Sequence, residues 1–512
     1  MPAFAGMTES EDRLSERIRT YLTASPEAGR LRPDLSALGN ESMADLDLCY
    51  MPATEMARRI RDGVLSPVDL MENTLARIEE VNPKLNCFCF VYPEEARAKA
   101  KAAEEMVRQR RPLNQLHGVP FAIKDLTPTK GKRTTLGSYA YEHWVPEEDA
   151  PIVEALTKAG GIMVGKTTTP EFAYSSFTES PLWGITRNPW DTARTPGGSS
   201  GGSGAAVASG CVPLAEGSDM GGSVRIPASF CGIVGLKPSF GRIPFTILPS
   251  IFDSLSHFGP LARTVDDAAL FVDITQGPDE RDIQSLKPKI NFPHPIPGSI
   301  RGWRLALCPD LGFLHLDPEV ESAVRAAAQA LTEQGAVIEE VELGWTKEMN
   351  DAWIDHWRVY LASFFGDKLA QYRAKMDPNV VALIEAGLKM SAMQFKRIEF
   401  IRTEMWQKLY PILQRCHALL CPTMAHPAPK VGGKDTEYDW VDEKGRFHGL
   451  DITSVFNFVS QCPALSVPAG MSKGGLPIGL QIVARRGEDL PALAIGKALE
   501  VVRPWAQNRP PI

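Results

Sequence analysis

From Thr195 the chain reads TPGGSSGGSGAAVASG, almost all glycine and serine after Pro196 until the alanines begin. A flexible linker would separate two independent units. This stretch instead runs straight into a helix start and has buried-type strands on both sides. It therefore reads as a packed turn inside one folded unit, and its neighbours set the fold class. Upstream, HGVPFAIKD is a short buried strand, APIVEALTKAG a helix and GIMVGKT a strand; downstream come an alanine-rich helix, VPLAEGSD and CGIVGLKPS. Strands alternating with helices predict an α/β fold around a mostly parallel sheet.

The alternation holds along most of the chain. ATEMARRIRDGVLS, PVDLMENTLARIEEVNP and EEARAKAKAAEEMVRQR read as helices from their three- and four-residue apolar steps. GWRLALCPD, AVIEEVEL, ALLCPT, ALSVPAG and PIGLQIVARR read as strands. PEVESAVRAAAQALTEQG, EMNDAWIDHWRVYLASFF, FKRIEFIRTEMWQKLYPILQRC and PALAIGKALEVV read as helices between and after them. Two regions break the pattern: the Pro-rich LKPKINFPHPIPGSIRG, and AHPAPKVGGKDTEYDWVDEKGRFHG, which reads as a surface loop. With no repeat and no strong linker, 43–512 is expected to be one large domain. Residues 1–42 are polar and are expected to be a frayed or disordered extension, or sequence upstream of a later start at Met43.

Composition removes several classes of function. Of 512 residues, 44% are hydrophobic and 23% charged, an ordinary globular balance. A net charge of −7 argues against a nucleic-acid-binding face. No apolar run is long enough to span a bilayer, and the N-terminus turns acidic too soon for a secretory signal. Neither a nucleic acid nor a membrane is therefore expected as a partner. Nine cysteines form no C-x-x-C pair, and no histidine spacing suggests zinc. Buried reduced thiols in a cytoplasmic protein, with no metal, are the expectation.

The glycine-serine stretch also fails the common glycine-rich motifs. A phosphate loop needs a lysine followed by serine or threonine after its last glycine, and no lysine is present. A dinucleotide fingerprint needs a third spaced glycine, and alanines follow Gly204. Gly198 to Gly202 fits G-x-S-x-G by letters, but the elbow it would form requires a buried strand before it. TRNPWDTARTP precedes it here.

Two other segments supply the chemistry. Lys124 ends the apolar strand GVPFAIK, so burial is expected to lower its pKa from about 10.4. A neutral lysine is a base, and a serine becomes a useful nucleophile when such a base takes its proton. The second segment, EGSDMGGSVRIPASFCGIVGLKPS, is another glycine-serine turn. Successive amides around Gly221 and Gly222 are able to converge on one oxygen as an oxyanion hole.

The lysine strand, then GGSSGGS, then D-x-GGS-x-R-x-P, in that order, resemble the amidase signature family of serine hydrolases. The similarity runs from about Met51 to the C-terminus, is densest from Gly118 to Arg242, and includes SLSHFGPLARTVDDAAL and GGLPIGLQIVARR. The resemblance implies a single large mixed sheet surrounded by helices. It makes Ser223 the acyl-accepting nucleophile, Ser199 a bridging serine held by a cis peptide bond, and Lys124 the base. It places Met220, Gly221, Gly222 and Ser223 at the oxyanion hole, with Ser200, Asp219 and Arg225 supporting the loops. Ser218 departs from a usual threonine, and Met220 fills a variable position. No cofactor, metal or histidine is required, so His117 and His257 are expected to be structural or surface groups. Asp125, next to the lysine, is either structural or electrostatic.

The implied reaction is hydrolysis of a small-molecule amide through an acyl-enzyme, with ester cleavage as a side activity and a homodimer allowed. TPEFAYSSFTESPLWGITRNPWD is expected to line the entry, with Phe172, Tyr174, Phe177 and Trp183 as an apolar wall favouring an aryl or medium acyl amide. Trp357 is a further candidate, while Trp353 and Trp406 read better as core. Two alternatives stand beside this. One is the glutaminase chain of a tRNA-dependent amidotransferase, from whose usual SLDQIGP-like sequence the stretch SLSHFGP departs. The other is a non-catalytic scaffold, against which the intact lysine and serines argue.

Overall fold

The computed structural model describes residues 44–512; the predicted extension 1–42 lies outside them. Thirteen strands follow in chain order: β1 (Phe88–Val91), β2 (Pro120–Lys124), β3 (Ile162–Thr167), β4 (Glu179–Ser180), β5 (Gly184–Ile185), β6 (Leu214–Asp219), β7 (Val234–Lys237), β8 (His257–Ala262), β9 (Arg304–Leu307), β10 (Val337–Glu340), β11 (Ala418–Pro422), β12 (Ala464–Met471) and β13 (Pro477–Ala484). Eleven of them form one sheet in the order β1-β3-β2-β6-β8-β7-β12-β13-β11-β9-β10, while β4 and β5 make a separate two-stranded ribbon.

The expected mixed sheet surrounded by helices is present. Its parallel pairings lie in two flanking blocks, β3-β2-β6 and β11-β9-β10, and every pairing between β6 and β11 is antiparallel. Strands β2, β3, β6, β8, β11 and β13 are buried along their whole length. Helices on both faces explain this burial, since no side of such a strand meets water. At the edge, β10 is charged and partly exposed. Glu339 and Glu340 pair there with Arg304, Arg415 and Arg325, which discourages further strand addition.

β2 and β6 run the same way and finish at the same end of the sheet, β2 with Lys124 and β6 with Asp219. The carboxyl end of a parallel block is where α/β sheets open to ligands. The helix Lys347–Phe365 packs against Pro378–Leu388 and Ala392–Arg415, and its Trp353 and Trp357 donate to the carbonyls of Met220 and Tyr174, beyond β6 and β3. Among the described residues no helix is long and apolar enough to cross a membrane. All nine cysteines are free thiols, buried except for the half-buried Cys89.

Candidate active site

Lys124 is fully buried, and its Nζ stands 2.7 Å from Ser199 Oγ and 3.0 Å from Ser218 Oγ. Strand pairing holds the lysine; the glycine-serine stretch brings up the serine. Just beyond Ser199, a Cβ on Gly202 would lie 2.4 Å from Thr168 N and 2.5 Å from its Oγ1, so the helix Gly201–Ala208 seats against β3's end only with glycine there. Ser203 Oγ donates to Glu216 O at 2.8 Å and Ser200 Oγ to Ser218 O at 3.3 Å. Ser200 N donates to Ser223 O at 3.2 Å. The stretch is thus fastened to β6 and to the second serine turn, Ser200 bonding to both. The Gly198–Ser199 peptide is cis.

Burial lowers Lys124 to about 7, against the opposing pull of the Glu216 and Asp219 carboxylates. Glu216, an acid that no sequence motif singles out, accepts the Lys124 backbone N–H at 2.9 Å and Thr127 Oγ1–H at 3.0 Å. Burial raises its own carboxyl pKa, with those donors and the Lys124 charge opposing. Ser218 is a second neighbour without a predicted role. In the sequence it is only a departure from the family pattern; in the fold its hydroxyl is a direct partner of the lysine.

Asp219 and Arg225 hold the following turn. Arg225 donates from Nε to Asp219 Oδ2 at 3.0 Å and from Nη2 to Oδ1 at 2.8 Å. Its remaining bonds go to Thr453 O, Gln481 Oε1 and Asn457 Oδ1. Both side chains are wholly buried, so Arg225 pins the loop and does not face the cavity. Burial alone would raise the Asp219 carboxyl, but the guanidinium and Asn457 hold it well below the usual carboxylate range. The Asp219 carboxylate also takes the N–H of Gly222 at 2.9 Å and of Val224 at 3.2 Å. Of the four amides predicted for the oxyanion hole, that of Gly222 is therefore already engaged. Those of Met220, Gly221 and Ser223 have no hydrogen-bond acceptor among the described residues.

Two cavities meet at Ser223. The larger, about 540 Å³, is lined among others by Tyr174, Phe177, Gly221, Trp353, Trp357 and Ile354, with Asp377, Asp435 and Asp451 among its polar groups. The smaller, about 250 Å³, is walled by Tyr141, Phe172, Phe245, Tyr360, Phe364 and Phe365, and reaches Ser199 and Ser218. Met220, Ala173, Trp357 and Ser223 border both. Of the four residues expected to form a wall, Phe172 lines the smaller cavity, and Tyr174 and Phe177 the larger. Trp183 does not take part. Its indole N–H donates to Thr135 Oγ1 at 2.9 Å and its ring packs edge-on against Phe90.

Trp353, which reads as core from the sequence, stands at the site. Its Nε1 donates to Met220 O at 3.2 Å, and a Cβ on Gly221 would lie 2.3 Å from its ring. Trp406 packs against a hydrophobic cluster, as expected. The segment 425–449 is more than a surface loop: Gly433, Asp435, Tyr438 and Phe447 are part of the larger cavity's wall. His117 lies by Ala103 O, and His257 sits between the carbonyls of Asp219 and Ser460, 3.2 Å from each. Burial, reinforced by the Lys237 charge, lowers His257 to about 3. Asp125 is structural: it receives the Thr135 N–H at 3.0 Å and the Thr135 hydroxyl.

The chain as a whole is similar to known proteins in sequence and in fold. A family model described as amidase covers residues 69–493. The chain is 36% identical over 474 residues to an acylamidase of Rhodococcus erythropolis, spanning 91% of this chain and 98% of that one. It is 35% identical over 488 residues to a glutamyl-tRNA(Gln) amidotransferase subunit of Chloroflexus aggregans, spanning 91% and 99%. A bacterial aryl acylamidase of the amidase signature family superposes with a TM-score of 0.84 at 32% identity, covering 90% of this chain and 97% of that chain. The chain belongs to the amidase signature family and is an amide hydrolase.

Proposed function

We propose that the protein hydrolyses a small-molecule amide carrying an apolar aryl or acyl group, through an acyl-enzyme on Ser223. The observation that carries this is Lys124 Nζ at 2.7 Å from Ser199 Oγ, in a buried site that opens through Ser223 into two cavities. A neutral amine has one lone pair and two N–H bonds. With the lone pair on Ser199 O–H, an N–H is left for Ser218 Oγ. Lys124 takes the Ser199 proton as Ser199 takes that of Ser223, and Ser223 Oγ bonds to the substrate carbonyl carbon. The carbonyl oxygen, now an anion, is met by the free N–H groups of Met220, Gly221 and Ser223. The proton returns through Ser199 to the leaving nitrogen, and the C–N bond breaks. Water then attacks the ester by the same relay and frees Ser223 and the acid.

Apolar lining supports the substrate class, as does the similarity to an acylamidase and an aryl acylamidase. The free, mostly buried thiols support a cytoplasmic setting. A second reading, a glutaminase working for an amidotransferase, draws on the amidotransferase relatives. An anilide panel measured beside glutamine separates the two. Anilide turnover at least tenfold above glutamine is expected. Ser223→Ala should lose about 10⁴-fold or more in rate with its fold intact. A variant keeping a tenth of the rate removes Ser223 as nucleophile.

A further inference from the structure

The segment that walls the larger cavity carries an imidazole–carboxylate cluster outside the lining of both cavities. His315, Asp442 and His448 place their ligand atoms all within 4.8 Å of one another. His448 Nε2 lies 3.3 Å from Asp442 Oδ2, and its ring stacks on His315 at 4.0 Å and on Trp440 at 3.7 Å between centroids. Asp442 Oδ1 receives the backbone N–H groups of Lys444 and Arg446 at 2.9 and 2.8 Å. Those bonds fix the carboxylate and leave Oδ2 to the histidine.

The backbone already brings the two contributing segments together. His315 N donates to Phe447 O at 2.8 Å, and Phe447 N donates to Phe313 O at 2.9 Å. Three of the surrounding acids are committed elsewhere: Glu321 and Glu340 pair with Arg325, and Asp310 with Arg446. A third imidazole stands close by. His426 Nε2 is buried with no hydrogen-bond partner among the described residues.

We propose that His315, Asp442 and His448 form a site for one divalent cation of the zinc class. Two neutral imidazoles and a carboxylate suit zinc, copper or nickel better than magnesium or calcium. Three protein ligands with water in the fourth position is a complete zinc coordination set. To hold one ion the stacked rings would turn about χ2 and present their nitrogens, a broad and soft torsion for imidazole. Bound metal would clamp the hairpin of Asp442 and His448 to the His315 loop, and so stiffen the wall to which Phe447 belongs.

The test is equilibrium dialysis of the full chain against Zn²⁺, with thermal melts at matched metal concentrations. The wild type is expected to take up one equivalent and to melt higher with zinc, since a ligand of the native state stabilises it. His315→Ala and His448→Ala should each weaken uptake by about tenfold or more and lose the zinc-dependent rise in melting temperature. Retained amide hydrolysis without zinc certifies their fold; His315→Gln and His448→Gln replace any variant that fails that check. Unchanged affinity in either histidine position, which would move the metal to a cysteine or another histidine, overturns the proposal. So does a wild type that takes up no stoichiometric zinc.

Discussion

Burial brings two lysines to about 7, but they face different chemistry. Lys237 Nζ donates to the carbonyls of Cys462 and Ser460 at 2.8 and 3.2 Å, whereas Lys124 faces two serine hydroxyls. Carbonyls carry no proton to exchange, so Lys124 is the one equipped as a base. Turnover is therefore expected to fall as pH drops through about 7 and to rise to an alkaline plateau, because the proposed relay uses the neutral amine. His257, lowered to about 3, and His356, lowered to about 4, are neutral across that range and cannot produce the limb. Lys124→Ala should slow acylation by about 10³-fold and abolish the limb; a limb that persists in the variant assigns it to another group. Stability has the same sign. Between about 7 and the unfolded lysine value near 10.4 the unfolded chain binds more protons, so folding strengthens as pH rises through that window. Lys124→Met should reduce the slope of this part of the melting-temperature profile, leaving the share that Lys237 contributes.

At the scale of the element, the turn after β6 and the helix Lys347–Phe365 are fitted to each other. Trp353 lies against Gly221, and the added methyl of Gly221→Ala would meet the indole at 2.3 Å. Overpacking of this kind typically costs about 1–3 kcal/mol, and here it also displaces an amide of the turn proposed to hold the oxyanion. Gly221→Ala is expected to lower kcat by about tenfold or more, and Gly221→Ala with Trp353→Ala to recover part of it. Equal losses in the single and double variants would mean that the turn fails for a reason other than the indole. This pairing marks the boundary of what the sequence makes legible. Lys124, Ser199 and Ser223 are readable because each sits in a short run whose residue types state its chemistry, and the runs resemble one family together. β2 is readable from an apolar run of strand length. Trp353 is not, because helical periodicity gives the face a residue occupies and not what packs on it. Trp183 escapes a sequence reading for the same reason: adjacency in sequence to cavity residues says nothing of the Thr135 hydroxyl that captures it. The 425–449 segment reads as polar and Pro-broken. Its role in the cavity wall depends on contacts with Glu179 of β4 and with residues 310–315, all distant in sequence.

For the whole molecule, the proposed catalytic unit is 43–512, and removing residues 1–42 should leave amide hydrolysis within a few-fold of the intact chain. A soluble truncation that loses activity would place the extension in the site. The two cavities make a stronger demand. A dry apolar cavity of about 150 Å³ is enough for a benzene ring, so the aromatic cavity of about 250 Å³ has room for an aryl group next to Ser223. The larger cavity, with its aspartates, suits the other half of the substrate. Leu248 lines the aromatic cavity from a partly exposed position in the chain beyond β7. Enlarging it to tryptophan therefore narrows the cavity without overfilling the core. Leu248→Trp is expected to reduce kcat/KM for a bulky anilide by about tenfold, within the 1–3 kcal/mol that shape discrimination in an apolar pocket commonly supplies. The same variant should leave the rate on a short aliphatic amide within a few-fold, because Lys124, Ser199, Ser218 and Ser223 are untouched. Measuring both substrates separates the possibilities: equal loss on the two means that the substitution disturbs the catalytic turn, and no loss on either means that the aryl group binds in the larger cavity instead.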